Sequence, residues 1–306
     1  MEEKGIMRTV TLEELLEAGC HFGHQVTRQN PKARDYIFEA RDNIHIIDLA
    51  KTKEGLEESA AFVKDVARKG GTMLVLATKR QAESVIKEEL DRAFQSGSTG
   101  LYSVTKRWIG GTLTNFQEVS KNYKKLKTLT DQLKDKRAQE GYTKKEVGQW
   151  EKERQKLSVY YGGVENLTHI PDVLFIIDTH LEDLAVREAH EMGATVVGIT
   201  DTNADPTIVD YPIPANDDAV GSIKIIAAYI IDAWIEGKEA MKVQSEKAAA
   251  DAQKEAEKTA SDEKKKAEKA SLDAKNAETK PAKEVKTAET KAEKVETKPA
   301  AKKAAK

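Results

Sequence analysis

The sequence predicts an α/β fold: a doubly wound parallel sheet with helices on both faces. Two observations carry this. Short, continuously apolar runs such as "TMLVLAT" (72–78), "PDVLFIID" (171–178) and "ATVVGITD" (194–201) are what strands buried on both faces require. Amphipathic stretches of helical period separate them, and that alternation builds parallel sheets.

Taken in order, "TLEELLEAG" opens with Thr11 and Glu14 in capping-box spacing, where hydroxyl and carboxylate satisfy each other's free helix-start amides. The short helix ends near Gly19, and "HFGH" places His21 and His24 on a loop after it. "YIF" and "IHIID" read as short strands bracketing a turn. Residues 51–69 are helical, 72–78 form a strand, "QAESVIKEELDRAF" is an amphipathic helix, and "YSV" (102–104) is a short strand. Further on, "EDLAVREAHEMG" and "DDAVGSIKIIAAYIIDAWIEG" are the helices after the strands at 171–178 and 194–201.

One segment breaks the alternation. Phe116, Val119, Tyr123, Leu126, Leu129 and Leu133 recur at three- and four-residue steps, and Val147, Trp150 and Leu157 do so after a polar turn around Gly141. This predicts an inserted antiparallel coiled-coil hairpin, with Arg154 interrupting the second seam. The domain plan is a globular α/β domain over 1–113 and 160–241, the hairpin over 114–159, and a tail over 242–306.

Charged residues make up 33% of the chain and the mean hydropathy is -0.61, and the polarity is concentrated in the tail. That segment is mostly Ala, Lys, Glu, Thr and Asp, with "ETKPA" occurring twice. Having almost no large apolar side chain to bury, it cannot offset its ordering entropy and reads as disordered. It carries 18 Lys against 13 acidic residues, leaving 32 basic and 39 acidic residues in the remainder. Any nucleic-acid contact must therefore come from local basic patches on an acidic domain.

Cys20 is the only cysteine, which excludes an intrachain disulfide and a multi-thiolate zinc site. The N-terminus lacks an apolar signal core, and no apolar run approaches the roughly 18 residues of a membrane span. The expectation is a cytoplasmic protein with no membrane contact.

Neither G-x-G-x-x-G nor G-x-x-x-x-G-K-[ST] occurs, which removes the main support for a nucleotide enzyme. Lys79 and Arg80 stand at a helix start, where the dipole disfavours cations and a bound anion would offset the conflict. In "RWIGGTLTNF" (107–116), Gly110 and Gly111 permit close backbone approach, and Thr112, Thr114 or Asn115 can cap the following helix. Arg107 can pair with a phosphate, and Trp108 can stack on a base or pack in the core. Lys121, Lys124, Lys125 and Lys127 add a basic helical face, which suits RNA backbone or simple solvation.

His24 with Asp201, Asp217 and Asp218 could hold zinc or another divalent ion, although "NDDA" also reads as an N-cap and "DTNADP" as an Asx turn. Catalytic signatures such as G-x-S-x-G and H-E-x-x-H are absent. The alternative function is a nucleotide- or metal-dependent enzyme using Asp178, Asp201 and Asp217.

The stretches "AGCHFGHQVTRQNP", "YIFEARDNIHIIDLAKT", "ATKRQA", "RWIGGTLTNF", "PDVLFIID", "DTNADPTIVDYPIPANDDA" and "SIKIIAAYI" follow one another across roughly residues 12–235. In that order they closely resemble the family of the second protein of the bacterial small ribosomal subunit. The resemblance implies a flavodoxin-like sheet with an inserted coiled-coil hairpin. It also implies a non-catalytic component that binds small-subunit ribosomal RNA between head and body. Neighbouring ribosomal proteins, including the first, messenger-binding one, are the implied partners. Carried over by position, Lys79, Arg80, Arg107, Trp108, Thr112 and Asn115 become the RNA-facing residues, with Lys121, Lys124 and Lys125 beside them. Ala215 departs from the family pattern, in which Gly is usual before "NDDA".

Overall fold

A computed structural model describes residues 8–135 and 139–247. Helix α1 (Leu12–Glu17) starts with the capping box expected of its sequence: Thr11 Oγ1 accepts from the Glu14 amide, and the Glu14 carboxylate accepts from the Thr11 amide. Three antiparallel strands follow, β1 (Phe22–Gln25), β2 (Ile37–Arg41) and β3 (Ile44–Ile47), in the order β1-β3-β2. Asp42 and Asn43 join β2 to β3 with positive φ of 50° and 62°. Short polar residues reach that region most readily, which makes the two-residue turn possible. The stretch expected to be a loop at His21–His24 is largely β1. Its pairing partner lies some twenty residues downstream in β3, a non-local contact that no local pattern announces.

The second sheet is parallel and is built from β4 (Met73–Leu76), β5 (Leu101–Val104), β6 (Val173–Ile176), β7 (Thr195–Thr200) and β8 (Tyr211–Pro214). Its order is β5-β4-β6-β7-β8, so the strands counted along the chain run 2-1-3-4-5, the flavodoxin-like winding. Helices α2 (Leu49–Arg68) and α3 (Arg80–Gln95) precede and follow β4. Helices α4 (Phe116–Lys134) and α5 (Lys144–Tyr161) form the segment between β5 and β6. Helix α6 (Asp183–Met192) links β6 to β7, and α7 runs over 220–247. Helix α7 thus continues past residue 242, where the tail was expected to begin. Residues 248–306 lie outside the described residues.

Alternation along the strands divides the core in two. Met73, Val75, Phe175, Val197 and Ile199 face α2, α3 and α7, with Leu56, Ile86, Ile230 and Trp234 packed against them. Leu74, Leu76, Leu174, Ile176 and Val196 face the other way, onto Trp108, Leu113, Val119, Tyr123, Val186 and Ala189. The period of two in the strands and the apolar faces of the helices therefore meet on both sides of one sheet.

Strand β8 escaped the sequence reading because "YPIP" carries two prolines, which argue against a strand. It is an edge strand, and its geometry explains the tolerance. The Ala215 amide donates inward to Thr200 O, so in an alternating strand positions 212 and 214 point outward, where no ladder amide is needed. The outward carbonyl of Pro214 accepts from Thr52 Oγ1 of α2. Gly55 lets α2 approach that edge, since a Cβ there would lie 2.5 Å from Pro212 O.

Helices α4 and α5 pair with opposite sense: Asn122 and Tyr123 meet Tyr161, while Lys125 further along α4 meets Glu153. Helix α5 begins with its own capping box, Thr143 with Glu146. The pairing is unequal, because α4 buries Val119, Tyr123, Leu126 and Leu129 whereas α5 buries only Tyr161. Val147, Trp150, Arg154 and Leu157 are half-buried.

Candidate functional site

The carboxyl ends of the parallel strands converge on a cluster of charge. Lys79 follows β4, Asp178 follows β6, Asp201 follows β7, Asp217 and Asp218 lie between β8 and α7, and β1 brings in His24. The winding reverses between β4 and β6, which is where sheets of this kind open a ligand crevice. Here Lys79 fills it. Its Nζ lies 2.8 Å from Asp178 Oδ2, 2.7 Å from Asp217 Oδ1 and 2.8 Å from Asp218 Oδ1. Burial pulls the ammonium pKa down, but the Asp217 charge and the hydrogen bonds to all three acids outweigh it and hold the group above its ordinary value. The cation at the start of α3, which in the sequence called for an external anion, is thus met by the protein's own carboxylates.

His24 completes the cluster, with Nδ1 3.0 Å from Asp201 Oδ2 and Nε2 3.7 Å from Asp218 Oδ2. The hydrogen bond to Asp201 raises the imidazole pKa despite partial burial. Asp217 is buried; burial first, then the charges of Asp178 and Asp201, push its carboxyl up to about 7 against the pull of Lys79. Its Oδ2 has no hydrogen-bond partner among the described residues. Ligand atoms of His24, Asp201 and Asp217 all lie within 4.8 Å of one another. One nitrogen and two carboxylate oxygens, one of them an orphan, fit zinc or another small divalent ion. Asp218 sits at the rim, half exposed.

The segment "NDDA" is not itself the cap of α7, which starts at Val220; Asn216 Oδ1 accepts from the amides of Asp218 and Ala219 ahead of it. The Asx turn in "DTNADP" is made by Asp205, whose Oδ1 accepts from the Thr207 amide. Ala215 is not among the residues with positive φ, so the turn accommodates its Cβ.

The second constellation is the loop at 107–116. Gly111 takes φ +86°, a left-handed conformation, and the chain curls so that its donors converge. They converge on Glu188 of α6. Glu188 Oε1 accepts from Trp108 Nε1 at 3.3 Å and the Gly111 amide at 2.8 Å. Oε2 accepts from the Leu113 and Thr114 amides at 3.0 and 3.4 Å and from Thr114 Oγ1 at 3.5 Å. The glycine-rich turn cradles an anion, and that anion is a buried side chain of the same protein, not a phosphate.

This reassigns several residues expected to face RNA. Trp108 is 6% exposed and packed in the core, so its ring is not presented to a base. Thr112 is buried, and its hydroxyl donates to Ile109 O. Lys79 is committed to three acids. Asn115 occupies the N-cap position of α4 without a side-chain cap bond and is exposed. Lys121 pairs with Glu118 and Lys125 with Glu153. Arg80, Arg107 and Lys124 are exposed and form no ion pair among the described residues.

Sequence reasoning missed Glu188. The available signal was an acid within "AVREA", flanked by Ala185 and Ala189 on the buried stripe of an amphipathic helix. Also unforeseen is an apolar outer face, where Leu12, Leu16, Phe22 and Phe38 are all exposed, Phe38 to 71%. Leu12, Leu16 and Phe38 border a cleft of about 390 Å³ with Ile46 and Leu49.

The sequence model of the family described as "Ribosomal protein S2" matches residues 15–237, spanning both constellations. The chain belongs to the ribosomal protein S2 family. Curated relatives each called "Small ribosomal subunit protein uS2" include one from Coprothermobacter proteolyticus, 46% identical over 81% of this chain and 91% of the relative. Another, from Geotalea uraniireducens, is 45% identical over 82% of this chain and 96% of the relative. A third, from Sorangium cellulosum, is 45% identical over 77% and 82%. In this S2-family chain, no helix among the described residues is long and apolar enough to cross a membrane.

Proposed function

We propose that this S2-family protein is a structural constituent of the small subunit of the cytoplasmic ribosome, binding ribosomal RNA between head and body. The supporting observation is that Arg80, Arg107 and Lys124, cations of the matched motifs and the adjoining helix, are exposed and form no ion pair among the described residues, on a domain of net negative charge. Such groups neutralise phosphates and release counterions. Helices α4 and α5, read as the inserted coiled-coil hairpin, extend that contact across the RNA surface. Binding is favoured over catalysis because Lys79 occupies the crevice in which a nucleotide-dependent enzyme on this sheet would hold its ligand.

The apolar face of α1 and β2 is assigned to a protein neighbour, the first, messenger-binding protein of the subunit. Exposed aromatic and aliphatic side chains around a cleft are the usual anchors of such contacts. His24, Asp201 and Asp217, with Asp218 at the rim, are assigned to a divalent ion, zinc by donor type. The ion would replace hydrogen-bonding partners that Asp217 lacks.

Sedimentation of cell lysate at high and low magnesium tests the assignment. The protein is expected to travel with the small subunit in both conditions, and persistence as a free species in both would overturn it.

A further inference from the structure

We infer that Glu188 is a positioning residue for RNA binding: through its buried carboxylate it fixes the loop that presents Arg107 and launches α4. The inference rests on the RNA-binding reading above. Glu188 is 5% exposed and receives five donors from residues 108–114, none of them a cation. A buried anion held only by oriented amides, an indole and a hydroxyl keeps its place through geometry, because each donor lost leaves it less compensated. The donors in turn are fixed by the acid they share.

Within the loop the Thr112 amide and hydroxyl donate to Ile109 O, the Asn115 amide donates to Gly111 O, and Trp108 and Leu113 are buried in the core, but only Glu188 joins donors from positions 108, 111, 113 and 114 at one point. Gly111 takes a left-handed conformation and Gly110 is exposed. Asn115, at the N-cap position of α4, contributes no side-chain cap bond. Arg107 directly precedes Trp108, whose indole is one of the five donors, so the clasp sets where the exposed guanidinium stands. Glu188 itself lies out of reach of any RNA. It acts on binding only through the residues it holds.

A double-mutant cycle on the full chain tests this, reading affinity for purified small-subunit ribosomal RNA by filter binding, with thermal melts of every variant. The variants are Arg107→Ala, Glu188→Gln and the pair. Glu188→Gln keeps the shape but loses one acceptor and the charge, and it is expected to weaken binding about tenfold, the scale of one well-placed contact. The double variant is expected to bind no more weakly than the weaker single, since the two act through one contact. Glu188→Asp, which retains the charge on a shorter arm, should recover part of the loss and serves as the reporter if the Gln variant does not fold. Wild-type affinity in Glu188→Gln, or losses that add in the double variant, would overturn the positioning role while leaving RNA binding intact. Failure of the wild-type chain to bind the RNA would instead remove the reading on which it rests.

Discussion

Lys79 Nζ lies 2.7 Å from Asp217 Oδ1, joining the end of β4 to the start of α7 across the point where the sheet reverses its winding. Removing that ammonium leaves buried carboxylates facing one another. Lys79→Met should therefore destabilise the fold by about 3–5 kcal/mol, the scale of breaking a buried ion pair. Chemical denaturation measures this, and an unchanged midpoint would mean that the cluster does not depend on Lys79.

The same cluster gives a pH dependence in chelator-treated protein. Asp217 has an ordinary pKa of 3.8 and is pushed up to about 7 in the fold. A raised folded pKa means that the stability from this group is fully present below pH 3.8 and is lost as pH rises through about 7. His24, also raised, has the same sign. Wild-type stability should fall relative to Asp217→Asn as pH rises from about 4 to about 7, by up to about 1.4 kcal/mol per pH unit for one proton, and level off above that. A flat difference curve would show that Asp217 does not titrate in that window.

Metal loading follows from the donor set. Zinc added to chelator-treated protein should raise the melting temperature, and His24→Ala should abolish the rise, because a ligand of the native state stabilises it. The effect should weaken as pH falls below about 7, where protons compete for Asp217 and His24. Undiminished zinc in elemental analysis of His24→Ala would acquit that residue.

Arg107→Ala should weaken binding to small-subunit ribosomal RNA without altering the melt. The slope of log affinity against log salt should decrease by about one, as for loss of one phosphate contact. An unchanged slope would place the guanidinium off the RNA.

Phe38→Ala separates protein docking from stability. With the ring 71% exposed, its removal should change stability by less than about 0.5 kcal/mol. Pull-down of the first small-subunit protein by assembled subunits should fall. Undiminished capture would move the docking surface elsewhere.

Much of the fold was legible because buried strands and amphipathic helices leave periodic signals. The capping box at Thr11, the strands around 72–78, 171–178 and 194–201, and the meeting of His24 with Asp201 and Asp217 all came from residue type and position. What the sequence hid was non-local. Strand β1 pairs with β3 across the intervening residues 26–43, β8 is masked by the prolines an edge strand can carry, and Lys79 finds its anions on two other loops. The loop at 107–116 is the sharpest case: its glycines and hydroxyls read as a helix cap and only Arg107 pointed to an anion, and it takes the packing of α6 to reveal Glu188 as the anion its donors share.

Pro212 and Pro214 have a consequence for the life of the chain before it meets any partner. A bare strand edge templates the addition of strands from other molecules, and newly made copies of a chain are at risk of joining that way. On β8 the outward positions carry no amide hydrogen, and the Pro214 carbonyl is already taken by Thr52. The sheet is closed to a sixth strand at this border, so chains awaiting assembly are protected there from stacking edge to edge.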